Sequence, residues 1–215
     1  MNVVPEAAQS STAMQVISAD RVLVVVRAQA IPDPAALAET LSGAGIRTVE
    51  LTFTTPGVLD ALAAASAVPD TVVGAGTVLT GEQAERAIDS GARFLVTPGL
   101  RPIVAEVAAR QGIPVVMGAF TPSEVMVALD LGAAAVKIFP ARALGPGYLK
   151  DLRGPLPDAA FIPSGGVNAG NAAEFLAHGA VAVTAGTDVV APGDVAAGRW
   201  SEIASRAAFF VSSMK

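Results

Sequence analysis

The segment Thr48-Val-Glu-Leu-Thr-Phe-Thr-Thr-Pro-Gly-Val-Leu-Asp-Ala-Leu-Ala-Ala-Ala-Ser66, followed by Thr71-Val-Val-Gly-Ala-Gly76, decides the fold. A short β-branched run reads as a strand, an alanine-rich stretch of helical period follows, and a second β-branched run returns. The same unit recurs from Arg21 onward. Strands are expected at Val22–Arg27, Thr48–Phe53, Thr71–Gly76, Arg93–Thr97, Pro114–Gly118, Ala134–Phe139, Ala160–Ser164 and Ala180–Thr184. Helices are expected at Pro34–Ser42, Pro56–Ser66, Gly81–Ser90, Arg101–Gln111, Pro122–Leu131, Pro146–Arg153, Ala169–His178 and near Ala197–Ser212. Asp33-Pro34, Thr55-Pro56 and Thr121-Pro122 each set a capping residue before a proline suited to the first helical turn. Gly43, Gly91, Gly112, Gly132 and Gly179 stand where C-terminal caps belong.

Strand-then-helix units spaced by roughly 20–25 residues favour a parallel sheet. Eight such units with no second compositional zone favour closure into an α/β (β/α)8 TIM barrel. A doubly wound open sheet is the alternative. The division expected is residues 1–20 as an N-terminal tail with a short helix over Ala13–Ala19, and 21–215 as the barrel domain. Residues 1–12 read as a tail, and the short helix as a cap on the barrel floor.

The chain is 52% hydrophobic and 15% charged, so 215 residues bury a substantial core. No stretch reaches the roughly 20 apolar residues that span a bilayer. The first twenty residues lack a basic start and a continuous apolar core, so no secretory signal is expected, and the expected address is cytoplasmic. With no cysteine there are neither disulfides nor thiolate metal sites. A net charge of −5 without a basic cluster argues against nucleic acid as a partner. The low charge count leaves much of the surface apolar or small, as a subunit interface or simple alanine richness would.

Three ionisable residues interrupt or end apolar strands: Arg27, Glu50 and Lys137. Burying an unpaired charge costs several kcal/mol or shifts its pKa, so each position needs a reason. Parity puts Val49, Leu51 and Phe53 under the helices, and Glu50, Thr52 and Thr54 toward the barrel interior and mouth. Lys137 likewise opposes Val136 and Ile138. A lysine withdrawn from water is the residue type that attacks carbonyls. The competing account is a buried Lys137–Glu50 salt bridge with no chemistry, although such pairs are weak sources of stability. Ser164-Gly165-Gly166 and Ala185-Gly186-Thr187 follow the last two strands, where barrels often bind phosphate; tight turns without a ligand are the alternative. Gly74-Ala75-Gly76-Thr77 is no dinucleotide fingerprint, because Leu79 stands where the third glycine is needed.

The single histidine, His178, reads as a helix-end residue, so His-dependent triads and His/Cys metal sites are implausible, while an all-carboxylate magnesium site stays open. Trp200 and Tyr148 read as packing residues.

Val24-Val-Val-Arg-Ala28, Val49-Glu-Leu-Thr-Phe-Thr-Thr-Pro56, Val73-Gly-Ala-Gly-Thr-Val78 and Val96-Thr-Pro-Gly-Leu100 occur in that order. Thr121-Pro-Ser-Glu124, Val136-Lys-Ile-Phe-Pro140, Gly145-Pro-Gly-Tyr-Leu-Lys150 and Pro163-Ser-Gly-Gly-Val-Asn168 follow. Together, from Arg21 to the C-terminus, they resemble the 2-keto-3-deoxy-6-phosphogluconate (KDPG)/4-hydroxy-2-oxoglutarate (KHG) aldolases, class I enzymes on a (β/α)8 barrel. The resemblance implies that Lys137 forms an imine with the substrate keto carbon and Glu50 moves the protons. It implies that Thr77 and a nearby arginine hold the pyruvate carboxylate and that Pro98 and Phe139 line the pocket. It implies that Gly165, Gly166, Gly186 and Thr187 bind the phosphate of the aldehyde half, with Ser164 standing where threonine is usual. Some members carry an arginine four residues after the glutamate, where this chain has Thr54; others end the first strand with arginine, as Arg27 does here, so carboxylate recognition is assigned to Arg27. Met117-Gly118 replaces the common Pro-Gly.

The expected activity is cleavage of KDPG to pyruvate and D-glyceraldehyde 3-phosphate, with 4-hydroxy-2-oxoglutarate as a further substrate. No cofactor or metal is expected, and the resemblance implies a homotrimer. The galactonate-configured substrate is the runner-up, although Thr52-Phe53-Thr54 leans toward the gluconate form. From other classes, a phosphate-sugar isomerase or epimerase, or an inactive phosphate-binding barrel, remains open.

Overall fold

Alternation of β-branched and alanine-rich segments closes into a (β/α)8 barrel. The computed structural model describes residues 6–215, with side chains from residue 13 onward. The strands are β1 (Val22–Val26), β2 (Thr48–Thr52), β3 (Val72–Gly76), β4 (Leu95–Val96), β5 (Val115–Ala119), β6 (Ala135–Ile138), β7 (Phe161–Pro163) and β8 (Val183–Ala185). All pair in parallel with their sequence neighbours from β1 to β7, and β1 also pairs with β8. The segment expected as the eighth strand, Ala180–Thr184, divides its pairing. Ala180 bridges Phe161 and the Val181 N–H donates to Phe161 O (3.0 Å), whereas Val183 onward belongs to β1's side. That division closes the barrel and explains why the ladder starts three residues later than the pattern suggests. β4 is short, yet backbone bonds from Arg93 N to Val73 O (2.8 Å) and Thr97 N to Val116 O (3.1 Å) span the expected Arg93–Thr97.

Helix α1 (Glu6–Asp20) precedes the barrel; α2 (Pro34–Gly43), α3 (Val58–Ser66), α4 (Gly81–Asp89), α5 (Pro102–Arg110) and α6 (Pro122–Asp130) follow β1 to β5 in turn. A 3-10 turn (Ala141–Ala143) and α7 (Gly147–Arg153) follow β6, α8 (Ala172–Ala177) follows β7, and α9 (Pro192–Ala196) and α10 (Trp200–Ser213) end the chain. α1 is longer than the expected Ala13–Ala19; the tail expected over residues 1–12 lies in its first five positions outside the described residues, and from Glu6 the chain is helical. The short α9 has no counterpart in the sequence reading. Gly198 (φ +64°) separates it from α10, which starts at Trp200 instead of Ala197.

Outward side chains such as Val49, Leu51, Val136 and Ile138 join the layer between barrel and helices. A smaller interior cluster joins Leu23, Phe94, Val96, Val116, Ala135, Ile162 and Ala182 to Ala13 and Ile17 of α1, so that helix plugs the floor. Each fully buried aliphatic or aromatic side chain contributes about 1.5–3 kcal/mol.

Two caps are as expected: the Ala36 N–H donates to Asp33 Oδ1 (2.9 Å), and Thr121 and Glu124 form a reciprocal capping box. Thr55 does not cap. The helix begins at Val58 after Gly57 (φ +69°), and the Thr55 hydroxyl accepts from the buried Ala28 N–H (3.2 Å), tying the β2 loop to the β1 loop. Gly43 is the last residue of α2, and the left-handed position belongs to Gly45 (φ +93°). α8 starts at Ala172 rather than Ala169. Asn168 and Asn171 engage nearby backbone instead: Asn168 N donates to Asn171 Oδ1 (2.8 Å) and Gly170 N to Asn168 Oδ1 (2.9 Å), a local competitor to the helical pattern.

Candidate active site

At the C-terminal mouth of the strands lies a cavity of about 600 Å³. Its wall includes Arg27, Thr54, Thr77, Pro98, Lys137, Phe139, Ser164, Gly165, Gly166, Gly186 and Thr187, every substrate-side position singled out in the sequence. Glu50 lies beneath, fully buried.

The pleat places these groups as parity requires. Glu50 pairs in register with Val25 and Gly74, and Lys137 with Gly118 and Ile162. Lys137 Nζ stands 3.9 Å from Glu50 Oε1 and 5.5 Å from the Phe139 ring centroid. At that distance the pair attracts without a hydrogen bond. Neither Glu50 oxygen has a hydrogen-bond partner among the described residues. Burial holds the Glu50 carboxyl above the ordinary carboxylate range, and the positive charges of Lys137 and Arg27 only partly oppose that rise. A carboxyl raised in this way holds a proton more readily than an exposed one and can both give and take it.

Room for Glu50 comes from a glycine. A Cβ at Gly76 would stand 2.5 Å from Glu50 Cγ and nearer still to the carboxylate. The Gly74-Ala75-Gly76 run, no dinucleotide motif, is therefore a space-making element. Thr77 follows it with φ 56°, a left-handed conformation costly for a β-branched residue, at the cavity wall. The Thr52 hydroxyl lies 2.9 Å from that of Thr54, and itself donates to Val26 O (3.1 Å).

Gly165 and Gly166 take left-handed conformations (φ +81° and +94°) after β7. The later start of α8 removes that helix from the turn; Asn171 Nδ2 donates to Gly166 O (3.0 Å) instead. A Cβ on Gly186 would meet nothing within 4 Å, so this turn leaves open space. Its loop is braced from behind: Arg206 Nε donates to Val189 O (3.1 Å) and the same guanidinium pairs with Asp194.

Sequence reasoning missed Arg142, Asn168 and Asp188, which also line the cavity. Only the position of Arg142 in the loop after the lysine strand pointed to it. His178 caps α8, its Nδ1 2.8 Å from Glu174 O, and Tyr148 donates to Phe120 O (2.9 Å). Among the described residues, no group of three or more His, Cys, Asp or Glu side chains could hold a metal ion, and no helix is long and apolar enough to cross a membrane.

An amine and an unpartnered carboxyl at a barrel mouth fit the aldehyde-lyases, enzymes that break carbon–carbon bonds beside a carbonyl. Comparison with known proteins agrees and narrows the class. The model of the family "KDPG and KHG aldolase" matches residues 14–206, and the chain belongs to that family of aldolases. It is 37% identical over 194 residues to a 2-dehydro-3-deoxy-phosphogluconate aldolase of Treponema pallidum, covering 89% of this chain and 92% of that one. Among solved structures, KDPG aldolase from Legionella pneumophila, with pyruvate captured as a covalent carbinolamine, superposes with a TM-score of 0.84 at 32% identity, over 91% of this chain and 96% of that one. A native KDPGal structure superposes at 0.82 with 31% identity, over 89% and 93%.

Proposed function

We propose that this chain is a class I aldolase that cleaves KDPG to pyruvate and D-glyceraldehyde 3-phosphate, with Lys137 as nucleophile and Glu50 as proton carrier. One observation carries the reading: a buried lysine amine 3.9 Å from a buried carboxyl whose oxygens have no hydrogen-bond partner, under an open cavity. As a purely structural salt bridge this pair is a poor arrangement, because the carboxylate is desolvated without being satisfied.

The Lys137 amine adds to the substrate C2 carbonyl and water leaves, giving a protonated imine. Glu50 takes the proton of the C4 hydroxyl as the C3–C4 bond breaks; the bonding electrons move into the imine and the aldehyde departs. The enamine then takes a proton at C3 from Glu50, and water releases pyruvate and the free amine. The imine is the electron sink, so the step needs neither metal nor cofactor. In this reading Arg27 and Thr77 hold the carboxylate, Thr54, Pro98 and Phe139 shape the pyruvate pocket, and Ser164, Gly165, Gly166, Gly186 and Thr187 receive the phosphate.

Borohydride reduction in the presence of pyruvate tests the proposal. Intact mass should rise by one reduced pyruvyl group, mapped to Lys137; no adduct, or one mapped elsewhere, overturns it. An isomerase or an inactive barrel would give none. The likeness to the KDPGal structure keeps the galactonate-configured substrate as a second reading. Pyruvate release from the two epimeric phosphorylated sugar acids decides between them, and 4-hydroxy-2-oxoglutarate belongs in the same comparison.

A cytoplasmic homotrimer completes the proposal. Large apolar side chains stand exposed at Ile103 on α5, at Phe120, and at Met126 and Val127 on α6, as a face covered by other subunits would leave them. Light scattering should give three times the 21.5 kDa chain mass. A monomer mass refutes the assembly.

A further inference from the structure

We infer that Arg142 reads the far anionic end of the substrate and gives the cavity its preference for a phosphorylated aldehyde half. The inference deepens the aldolase reading and rests on it. Arg142 lies in the 3-10 turn just after β6, five positions past Lys137. The backbone of that turn is fastened to the glycine turn after β7: Ala141 N donates to Ser164 O (2.7 Å) and Arg142 N to Gly165 O (2.9 Å). A Cβ on Gly166 would stand 3.3 Å from Arg142 Cα and closer to its Cβ. The base of the Arg142 side chain thus fills the space that any side chain at 166 would need. Residue 166 is held to glycine from two directions, by this contact and by its left-handed backbone.

The guanidinium itself is uncommitted. Arg47, Arg86, Arg110, Arg199 and Arg206 form ion pairs, whereas Arg142 lines the cavity with no carboxylate at ion-pair distance among the described residues. Asp188 lines the same cavity and disfavours an anion there, and a cation on the loop after β6 offsets that repulsion. A guanidinium offers a planar fork of donors that matches two phosphate oxygens. Arg27 and Arg142 stand beyond β1 and β6, with β7 and β8 between them. Two anionic ends of one substrate therefore meet two separate cations, with the Lys137 amine available to the keto carbon.

The probe is glycerol 3-phosphate, an unreactive analogue of the three-carbon aldehyde half, titrated calorimetrically into wild type, Arg142→Ala and Arg142→Lys. Arg142→Ala should bind about 10- to 100-fold more weakly, and Arg142→Lys should recover only part of the loss, since an ammonium keeps the charge and loses the fork. In turnover, the ratio of kcat/KM for the phosphorylated sugar acid to that for its unphosphorylated counterpart should fall by a similar factor, through KM. Thermal melting checks that the variants fold. Equal affinity in wild type and Arg142→Ala, or no binding to wild type, overturns the inference. A wild type that binds glycerol 3-phosphate through Arg142 yet releases no pyruvate overturns the aldolase reading and leaves the phosphate contact standing.

Discussion

Replacing Gly76 by alanine tests whether the barrel makes room for a catalytic carboxyl at a place where it has no other reason to omit a side chain. The new methyl would stand 2.5 Å from Glu50 Cγ, whereas carbon atoms in contact settle at about 3.5–4.0 Å. The backbone at 76 cannot yield easily: Gly76 O accepts from Phe53 N (2.9 Å), and residue 76 is in register with Thr52. Glu50 must then move by at least about 1 Å, because its carboxylate lies nearer the new methyl than Cγ does, an overpacking that costs about 1–3 kcal/mol of stability. A displacement of about 1 Å in a reacting group costs about 100-fold in rate. The assay is exchange of pyruvate methyl protons with deuterated water, followed by NMR, beside thermal unfolding of the same sample. Exchange in Gly76→Ala should fall about 100-fold with the fold retained. Wild-type exchange in a folded Gly76→Ala protein would show that Glu50 either tolerates the shift or is not the proton carrier. Gly118→Ala is the contrast, since its methyl would stand 2.5 Å from Gly99 N, a backbone obstacle, so there the loss should appear mainly as stability.

Glu50→Gln removes the same proton carrier without the clash, and methyl exchange should fall far more than pyruvate binding. It also reports the protonation of the buried group. Because burial raises the Glu50 pKa, its contribution to stability is complete below the ordinary carboxylate range and is lost as pH rises through the higher folded value. Wild type should therefore lose stability relative to Glu50→Gln as pH rises through that window, read from urea unfolding at several pH values; a flat or opposite trend refutes the burial account. Thr55→Val keeps the shape of a buried residue and removes the acceptor for the Ala28 N–H, so unfolding free energy should drop by about 1–3 kcal/mol. An unchanged denaturation midpoint would mean that this bond between the β1 and β2 loops contributes nothing.

The sequence carried the barrel because its signal is repeated and local. Most strands carry a β-branched run, most helices are alanine-rich, Asp33 and Thr121 open two of them as caps, and parity assigns faces without any tertiary knowledge. Glu50 and Lys137 were legible for the opposite reason: a charge inside an apolar run is conspicuous. What stayed hidden depends on contacts between distant segments. Thr55-Pro56 has the look of a helix cap, but the hydroxyl is engaged by Ala28, 27 residues away. The late start of α8 follows from asparagine side chains that outcompete the first helical turn. Arg142 sits in a short Ala-Arg-Ala loop where neither period nor composition marks it, and only the seam to Ser164 and Gly165 brings it to the cavity.

The glycines of β3 and β5 serve close packing at two positions and chemistry at a third. Below, the interior is filled by Phe94, Val96, Val116 and Ile162, as a layered barrel core should be. One layer higher, each buried ionisable residue faces a glycine across the strand ladder: Glu50 pairs with Gly74 and Lys137 with Gly118. A glycine within a strand costs about 0.5–1 kcal/mol relative to alanine, and the layer also leaves a carboxyl without a hydrogen-bond partner. The unsatisfied carboxyl does not help folding. Phe94 takes the volume beside Gly74, and Glu50 that beside Gly76, so the omitted side chains leave no void. Of these glycines only Gly76 yields its space to an ionisable side chain, whereas Gly74 yields to the Phe94 ring and Gly118 to the Pro98–Gly99 backbone, so the measurements on Gly76 and Gly118 separate room made for the carboxyl from ordinary close packing.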